Sequence, residues 1–229
     1  MADIIIKNGL MRNYLLKLKE GYLLIDTCWP KYYKRFIRKL KKHQLQVTDI
    51  KYLLITHSHS DHAGFAGRLL LESGAKLIVH EDALPYLIKG EMESEARPTK
   101  RIARFMFKFA HRIIATTYPA IRIEDEKVIK IQKSKEKPIP KEIGLEGKIM
   151  VTPGHTFDSI SLILEDGKAF TGDLCTNHPF FSLMSSRREP PLTIGRNYVL
   201  ESWKKLVRNG VKVLYPAHGK PFPIEKLEI

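Results

Sequence analysis

Residues 49–80 read DIKYLLITHSHSDHAGFAGRLLLESGAKLIVH, and this stretch predicts both the fold class and the place of a functional site. The apolar run up to Thr56 is typical of a buried strand. The run after Gly64 is typical of a helix that ends at Gly74, and a second strand follows it. Strand–helix–strand units of this kind indicate an α/β fold. The turn after the first strand, THSHSDHAG, is unusually rich in histidine.

Four residues of metal-ligand type lie in this turn. His57 and His59 are two positions apart at a strand end, so the period of two places both on the same side of the chain. Asp61 and His62 follow, where the chain turns into the helix. Imidazole and carboxylate groups suit zinc, and also iron or manganese. A lone histidine is more often a packed or solvated residue, but four such residues at this spacing indicate a metal site.

Short apolar runs and turns fill most of the remaining chain. Asn8-Gly9 and Glu20-Gly21 separate three predicted strands near the start, and Asp166-Gly167 predicts a hairpin. Further strands are predicted at residues 120–123 (AIRI), 127–131, 147–154 and 211–219, with helices at 31–45 and 192–210. Strands followed by helices in both halves predict two stacked sheets with helices outside, within one domain over residues 1–229.

Residues 81–117 differ from this pattern. A short helix is predicted at DALPYLI, and TKRIARFMFKFAHRII (99–114) predicts an amphipathic basic helix. This helix could form a cap within the domain, near the active site, or dock on a membrane surface. The alternative is a helix packed on the core with a solvated basic rim.

The composition gives 39 Lys and Arg against 25 Asp and Glu, a formal net charge of +14. This charge favours acidic partners such as nucleic acid, an anionic membrane or an anionic substrate, although widely spread lysines also serve solubility. No dedicated nucleic-acid module stands out. Cys28 and Cys175 form no disulfide framework, and we find neither a secretory signal nor a transmembrane segment, so a cytoplasmic protein is expected.

Three later stretches share one design with the opening turn. In VTPGHT, FTGDL and YPAHGK a strand ends at a Gly or Pro turn that carries His155, Asp173 and His218 respectively. Small residues beside each of these side chains let the backbone approach a buried ion closely. Ligands held on strand ends also suit a site that must be rigid.

Taken in order, HSHSDH, PGH, TGD and PAHG resemble the metallo-β-lactamase superfamily, and especially its glyoxalase II-like and lactonase-like hydrolases. The resemblance implies a four-layer αββα sandwich with a metal site at one edge of the two sheets. It also implies that Asp26, in LLIDT, supports the ligands from behind. The implied ligands are His57, His59 and His155 for a first metal, Asp61, His62 and His218 for a second, and Asp173 as the bridge.

The chemistry expected from this ligand set is hydrolysis of a small ester, thioester or lactone. Two divalent ions, zinc before iron or manganese, would lower the pKa of a shared water from about 15.7 towards 7. Asp61 is the predicted catalytic residue, because it can accept a hydrogen bond from the attacking hydroxide and later pass on a proton. The expected partner is a small molecule, anionic or acylated, and the sequence is compatible with a homodimer.

Several alternatives stay open at this stage. A phosphodiesterase acting on nucleic acid or a phosphorylated small molecule agrees with the net charge, whereas a mononuclear iron sulfur dioxygenase would need only part of the ligand set. A non-catalytic binding protein would be expected to have lost ligands. Residues 175–191 are predicted to form a loop over the site, which makes His178, Arg187 and Arg188 candidate substrate contacts; the alternative is an exposed loop.

Overall fold

Two six-stranded β-sheets and the helices around them make up the computed structural model of this chain. It describes residues 4–110, 116–132, 136–139, 143–185 and 188–229. The first sheet contains, from edge to edge, β1 (Ile4–Asn8), β2 (Met11–Lys17), β3 (Tyr22–Ile25), β4 (Ile50–Leu54), β5 (Lys76–His80) and β7 (Val128–Ile131). The second contains β14 (Phe222–Pro223), β13 (Val213–Pro216), β11 (Lys168–Gly172), β10 (Ile160–Leu164), β9 (Gly147–Val151) and β8 (Lys137–Pro138).

A small third sheet and seven α-helices complete the described elements. In the small sheet, β6 (Arg97–Pro98) pairs antiparallel with β12 (Leu192–Thr193). The helices are α1 (Tyr33–Lys42), α2 (Ser60–Ala63), α3 (Ala66–Ser73), α4 (Leu84–Lys89), α5 (Arg101–Ala110), α6 (Pro179–Met184) and α7 (Arg196–Arg208). None of these helices is long and apolar enough to cross a bilayer.

Alternation along the strands divides the apolar side chains among three layers. Between the sheets, Tyr14 packs edge-on against Phe170 with ring centroids 5.2 Å apart. The other face of the first sheet is covered by α1 and α3, which contribute Phe36 to a second cluster. The other face of the second sheet is covered by α7, whose Trp203 is fully buried. This arrangement confirms the predicted αββα sandwich.

The strand directions bring several carboxyl ends to one edge. In the first sheet, β3, β4, β5 and β7 run parallel. In the second, β9 and β11 are both antiparallel to β10, and β13 is parallel to β11, so β9, β11 and β13 point the same way. The turns that follow β3, β4, β9, β11 and β13 carry Asp26 and every predicted metal ligand.

Most of the predicted elements are found, and one is wrong. The three early strands and the hairpin at Gly167 form, and Gly167 has the positive φ of 86° that such a turn needs. Residues 120–123 form no strand, because the Ile121 backbone N–H donates to the Leu87 carbonyl at the end of α4. The predicted loop at 175–191 contains the helix α6.

The predicted cap region, residues 81–117, contributes α4, β6 and α5 beside the ligand-bearing edge. It is joined to the chain after Asp173 in two ways: β6 pairs with β12, and α5 contacts α6. Residues 111–115 lie outside the described part of the chain. The assignment of residues 1–229 to one domain with this segment as its cap stays a prediction.

Candidate metal centre

The seven predicted ligand residues come together at the shared edge of the sheets. One atom from each member of a group lies within 4.8 Å of the others in three overlapping groups. All the histidines among them are buried. The groups are His57, His59 and His155; His57, His62 and Asp173; and Asp61, His62 and His218.

Hydrogen bonds behind the rings fix how four of these histidines are turned. His62 Nδ1 lies 2.9 Å from Asp26 Oδ2, and His155 Nδ1 lies 2.8 Å from the Leu192 carbonyl oxygen. His57 Nδ1 is 3.2 Å from Thr56 Oγ1, and His218 Nδ1 is 3.2 Å from the Leu10 carbonyl oxygen. In each ring the other nitrogen, Nε2, is left to face the centre of the cluster. Such outer hydrogen bonds select the tautomer and orientation of metal-binding histidines.

Asp26 organises the first turn through both carboxylate oxygens. Its Oδ1 accepts the Thr56 backbone N–H at 2.8 Å, and its Oδ2 accepts the Thr56 hydroxyl at 2.8 Å as well as His62 Nδ1. Asp26 has a φ of 56°, a left-handed conformation that aspartate and asparagine adopt more readily than most residues. The side chain therefore ties the end of β3 to the turn after β4.

Unpartnered atoms test whether the cluster fits metal ions. His57 Nε2 is buried and has no hydrogen-bond partner among the described residues, and the buried atoms His62 Nε2 and Asp173 Oδ1 make no hydrogen bond but lie 3.4 Å from each other. An unsatisfied buried polar group costs about 1–3 kcal/mol, more when it is charged. His155 Nε2 and His59 Nδ1 also lie only 3.0 Å apart. Imidazole nitrogens and carboxylate oxygens turned inward in this way fit zinc, iron or manganese.

Charge divides the cluster into two halves. Burial, followed by neighbouring histidines, lowers the pKa of His57 well below its usual value, and burial with His59 lowers the pKa of His155 to about 4. In the other half, burial alone would lower the pKa of His218, but Asp173 and Asp61 raise it to about 10. Burial would raise the pKa of Asp61, but His62 and His218 lower it to about 2. In this half a divalent cation would take the place of protons.

Three hydrogen bonds around Ser58 hold the histidine turn in place. The four ligand motifs in the sequence do not predict these bonds. The Ser58 N–H donates to Asp158 Oδ2 at 3.0 Å, and the Tyr118 hydroxyl donates to the Ser58 carbonyl at 2.9 Å. The Glu93 N–H donates to Ser58 Oγ at 3.2 Å. Asp158 follows His155 by only three positions, so its nearness to a predicted ligand could have identified it from the sequence. Glu93, within EMESE, is indistinguishable in sequence from a solvated acid.

Glu93 is an acidic residue beside the ligands that sequence reasoning missed. Its Oε2 atom lies 3.9 Å from His59 Nε2, and only 3% of the residue is exposed. Burial raises the pKa of its carboxyl group to about 7; the hydrogen bond that the Glu95 N–H donates to this carboxyl group opposes the rise, and the charge of Asp158 adds to it. The side chain is therefore placed to act on His59 from the cap region.

The three predicted substrate contacts are placed differently from the ligands. His178 Nδ1 accepts the Phe180 N–H at 3.2 Å and so caps the start of α6. Arg188 hydrogen-bonds Asn177 and lies over the Phe222 ring, 5.0 Å from its centroid. Neither residue lines the cavity at the centre. Arg187 lies outside the described residues, and contact of any of the three with a substrate stays a prediction.

A cavity of about 710 Å³ opens directly beside the cluster. Its floor includes His59, Asp61, His155, Asp173 and His218. Its walls come largely from the cap region and the chain after Asp173, and they are mostly apolar. Among them are Trp29, Met92, Met106, Phe180, Phe181 and Met184.

Comparison with known proteins gives a family match over almost the whole chain. The model of the metallo-beta-lactamase superfamily matches residues 13–218. A metallo-beta-lactamase fold-containing protein of Sulfurisphaera tokodaii is 25% identical over 175 residues, which cover 74% of this chain and 60% of that protein. A hydroxyacylglutathione hydrolase of Rhodopseudomonas palustris is 25% identical over 133 residues, covering 58% of this chain and 35% of that protein. The chain therefore spans less than two thirds of either relative.

Solved structures agree on the fold. The Rm3 metallo-beta-lactamase superposes with a TM-score of 0.65 at 19% identity, covering 93% of this chain and 74% of that one. At this identity the likeness concerns the arrangement of sheets and helices alone.

Proposed function

This chain belongs to the metallo-beta-lactamase superfamily, and from that premise we propose that it is a hydrolase that uses two divalent metal ions, zinc by preference, to cleave a small ester, thioester or lactone. The observation that carries the proposal is the complete set of seven inward-facing ligand residues, in which His57 Nε2 has no partner among the described residues and His62 Nε2 faces Asp173 Oδ1 at 3.4 Å. A protein that merely kept the fold would have no reason to retain such a costly cluster.

The roles of the residues follow from their positions. His57, His59 and His155 would hold one ion, Asp61, His62 and His218 the other, and Asp173 would bridge them. When bound, such ions lower the pKa of a water molecule towards neutrality and polarise the substrate oxygen. Asp61, at the cavity floor, accepts a hydrogen bond from the attacking water and orients it, and it can later return a proton to the leaving group. Asp26 keeps His62 in the correct tautomer.

The cavity supports an acyl substrate over a polyanion. Among the described residues that line it, Arg97 is the only lysine or arginine, whereas Asp61, Glu91, Glu93 and Asp173 are acidic. A site for nucleic acid would need basic groups to follow the phosphates. Apolar walls with a few polar groups are typical of sites for small, partly apolar molecules. The relative named as a hydroxyacylglutathione hydrolase is consistent with a thioester.

The remaining alternatives have less support. A mononuclear iron sulfur dioxygenase would leave part of the seven-residue cluster without a purpose, and the phosphodiesterase lacks a basic cavity. We propose a cytoplasmic location, because Cys28 and Cys175 are both buried free thiols. A homodimer stays a prediction.

The test is a substrate panel combined with metal analysis on the full chain. The protein is loaded with zinc or manganese and assayed against thioesters, lactones, aryl esters and bis-p-nitrophenyl phosphate. We expect about two ions per chain and the highest kcat/KM on one of the carbon esters or thioesters. A ratio of one ion or fewer after careful loading would contradict the dinuclear centre. Turnover of the phosphodiester alone would contradict the proposed bond type.

A further inference from the structure

The outer surface of the cap carries apolar and basic side chains together. On α5, Ala103 is buried and Met106 lines the cavity, so the opposite side of the helix faces solvent. That side presents Arg101, Arg104 and Phe105, the last 65% exposed. Large exposed apolar side chains that cluster are typical of surfaces that meet a partner or a membrane.

The neighbouring helix extends this surface. On α6, Phe181 and Met184 face the cavity, whereas Leu183 is 65% exposed. α5 contacts α6, and we take the exposed side chains of these two neighbouring helices together as one surface. With Ile102, which is 48% exposed, they form what we call the cap surface: Arg101, Ile102, Arg104, Phe105 and Leu183.

Charge identifies the partner. Residues 98–123 contain no aspartate or glutamate and six lysines or arginines. Among the described residues, no carboxylate pairs with Lys100, Arg101 or Arg104. A surface in which uncompensated cations alternate with apolar side chains is complementary to an anionic lipid bilayer, which offers phosphates above an apolar interior.

We propose that the cap surface docks on an anionic membrane, with Arg101 and Arg104 at the phosphates and with Ile102, Phe105 and Leu183 at the level of the first acyl carbons. Basic residues near such a surface and buried apolar side chains act together in interfacial helices. The same two helices contribute Met106, Phe181 and Met184 to the cavity on their inner side. The inference concerns binding alone and holds whether or not the proposed hydrolysis is correct.

The experiment is co-sedimentation of the full chain with vesicles of phosphatidylcholine, with and without phosphatidylglycerol. We expect partitioning onto the anionic vesicles that weakens as salt is raised, and little onto the neutral ones. Arg101→Gln and Arg104→Gln should each lower the partition coefficient about fivefold. Ile102→Ser combined with Leu183→Ser should lower it about tenfold.

Leu71→Ser is the matched control, because Leu71 on α3 is 84% exposed and lies outside the cap. It should bind as the unchanged protein does, and circular dichroism should show that every variant is folded. Absence of binding to anionic vesicles, or equal loss in the control, would overturn the proposal. A dimer in analytical ultracentrifugation that the Ile102→Ser and Leu183→Ser changes dissociate, without vesicle binding, would assign the surface to a second copy of this chain instead.

Discussion

The ligand-bearing edge and the neighbouring cap differ in how firmly their side chains are held. At the edge, the side chains follow strand ends, the histidines among them are buried, and partners such as Asp26 and the Leu192 carbonyl hold the rings from behind. In the cap, the helices are short, β6 and β12 have two residues each, and apolar side chains face both the cavity and solvent. Under the proposed function, the edge would carry out the reaction and the cap would select the substrate that reaches it.

The largest expected effect comes from the edge. Asp61→Asn keeps the size of the side chain but removes a charged ligand oxygen and the acceptor for the water proton, and His59→Ala removes a ring from the cluster. We expect kcat/KM to fall about 10²–10⁴-fold in either variant, with the fold retained. Steady-state kinetics and circular dichroism measure the two properties. His43→Ala, at an exposed histidine, is the control, and an unaffected rate in Asp61→Asn would show that the reaction lies elsewhere.

A smaller effect is expected one layer behind the ligands. Asp26→Asn is compatible with the left-handed backbone at this position, but an amide NH₂ in place of Oδ2 cannot accept the hydrogen bond from His62 Nδ1. Metal affinity, measured by competition with a chelator, should fall about 10–100-fold. Asp125→Asn, at an exposed carboxylate, should change nothing. An unchanged metal affinity in Asp26→Asn would show that the ligands at the edge do not need the Asp26 carboxylate behind His62, and it would weaken the contrast between a firmly held edge and the cap.

The smallest effect is expected in the cap and should depend on the substrate. Met106→Gln keeps the length of the side chain but places an amide in the apolar wall of the cavity. For long-chain acyl esters we expect KM to rise about three- to tenfold, because a buried apolar contact is lost, with kcat unchanged. Acetyl esters should show no change. Ile88→Gln, on the exposed side of α4, is the control. A fall in kcat for all substrates would mean that the cap takes part in the chemical step.

The contrast also explains what the sequence could predict. Each ligand sits in a local signal, a strand end beside a Gly or Pro turn, so HSHSDH, PGH, TGD and PAHG could be found by eye. Asp26 could be placed only through the family resemblance. The sandwich followed from alternating apolar runs, because one face of each strand must be buried against another layer.

In the cap, tertiary contacts outweighed local patterns. Glu93 is buried only because residues 91–98 fold against the histidine turn, which no feature of EMESE indicates. Residues 120–123 have the pattern of a strand, yet the Ile121 N–H is taken by the Leu87 carbonyl. The start of α6 had a readable signal: Pro179 follows His178, and proline is favoured in the first turn of a helix. The prediction of a loop did not include the capping role of His178 at the start of α6.

The contacts between the His218 turn and the first hairpin bear on the stage of folding at which the ligand set is complete. His218 Nδ1 reaches the Leu10 carbonyl across 208 residues, and the Arg12 N–H donates to the Ala217 carbonyl at 2.9 Å. Contacts between such distant parts of a chain form late in folding, because the intervening loop must close first. A growing polypeptide that has emerged only as far as Asp173, the residue after β11, carries six of the seven ligand residues but lacks these contacts. In the proposed centre, the ion site formed by Asp61, His62 and His218 would therefore be complete only after the first hairpin and the late strand β13 have met.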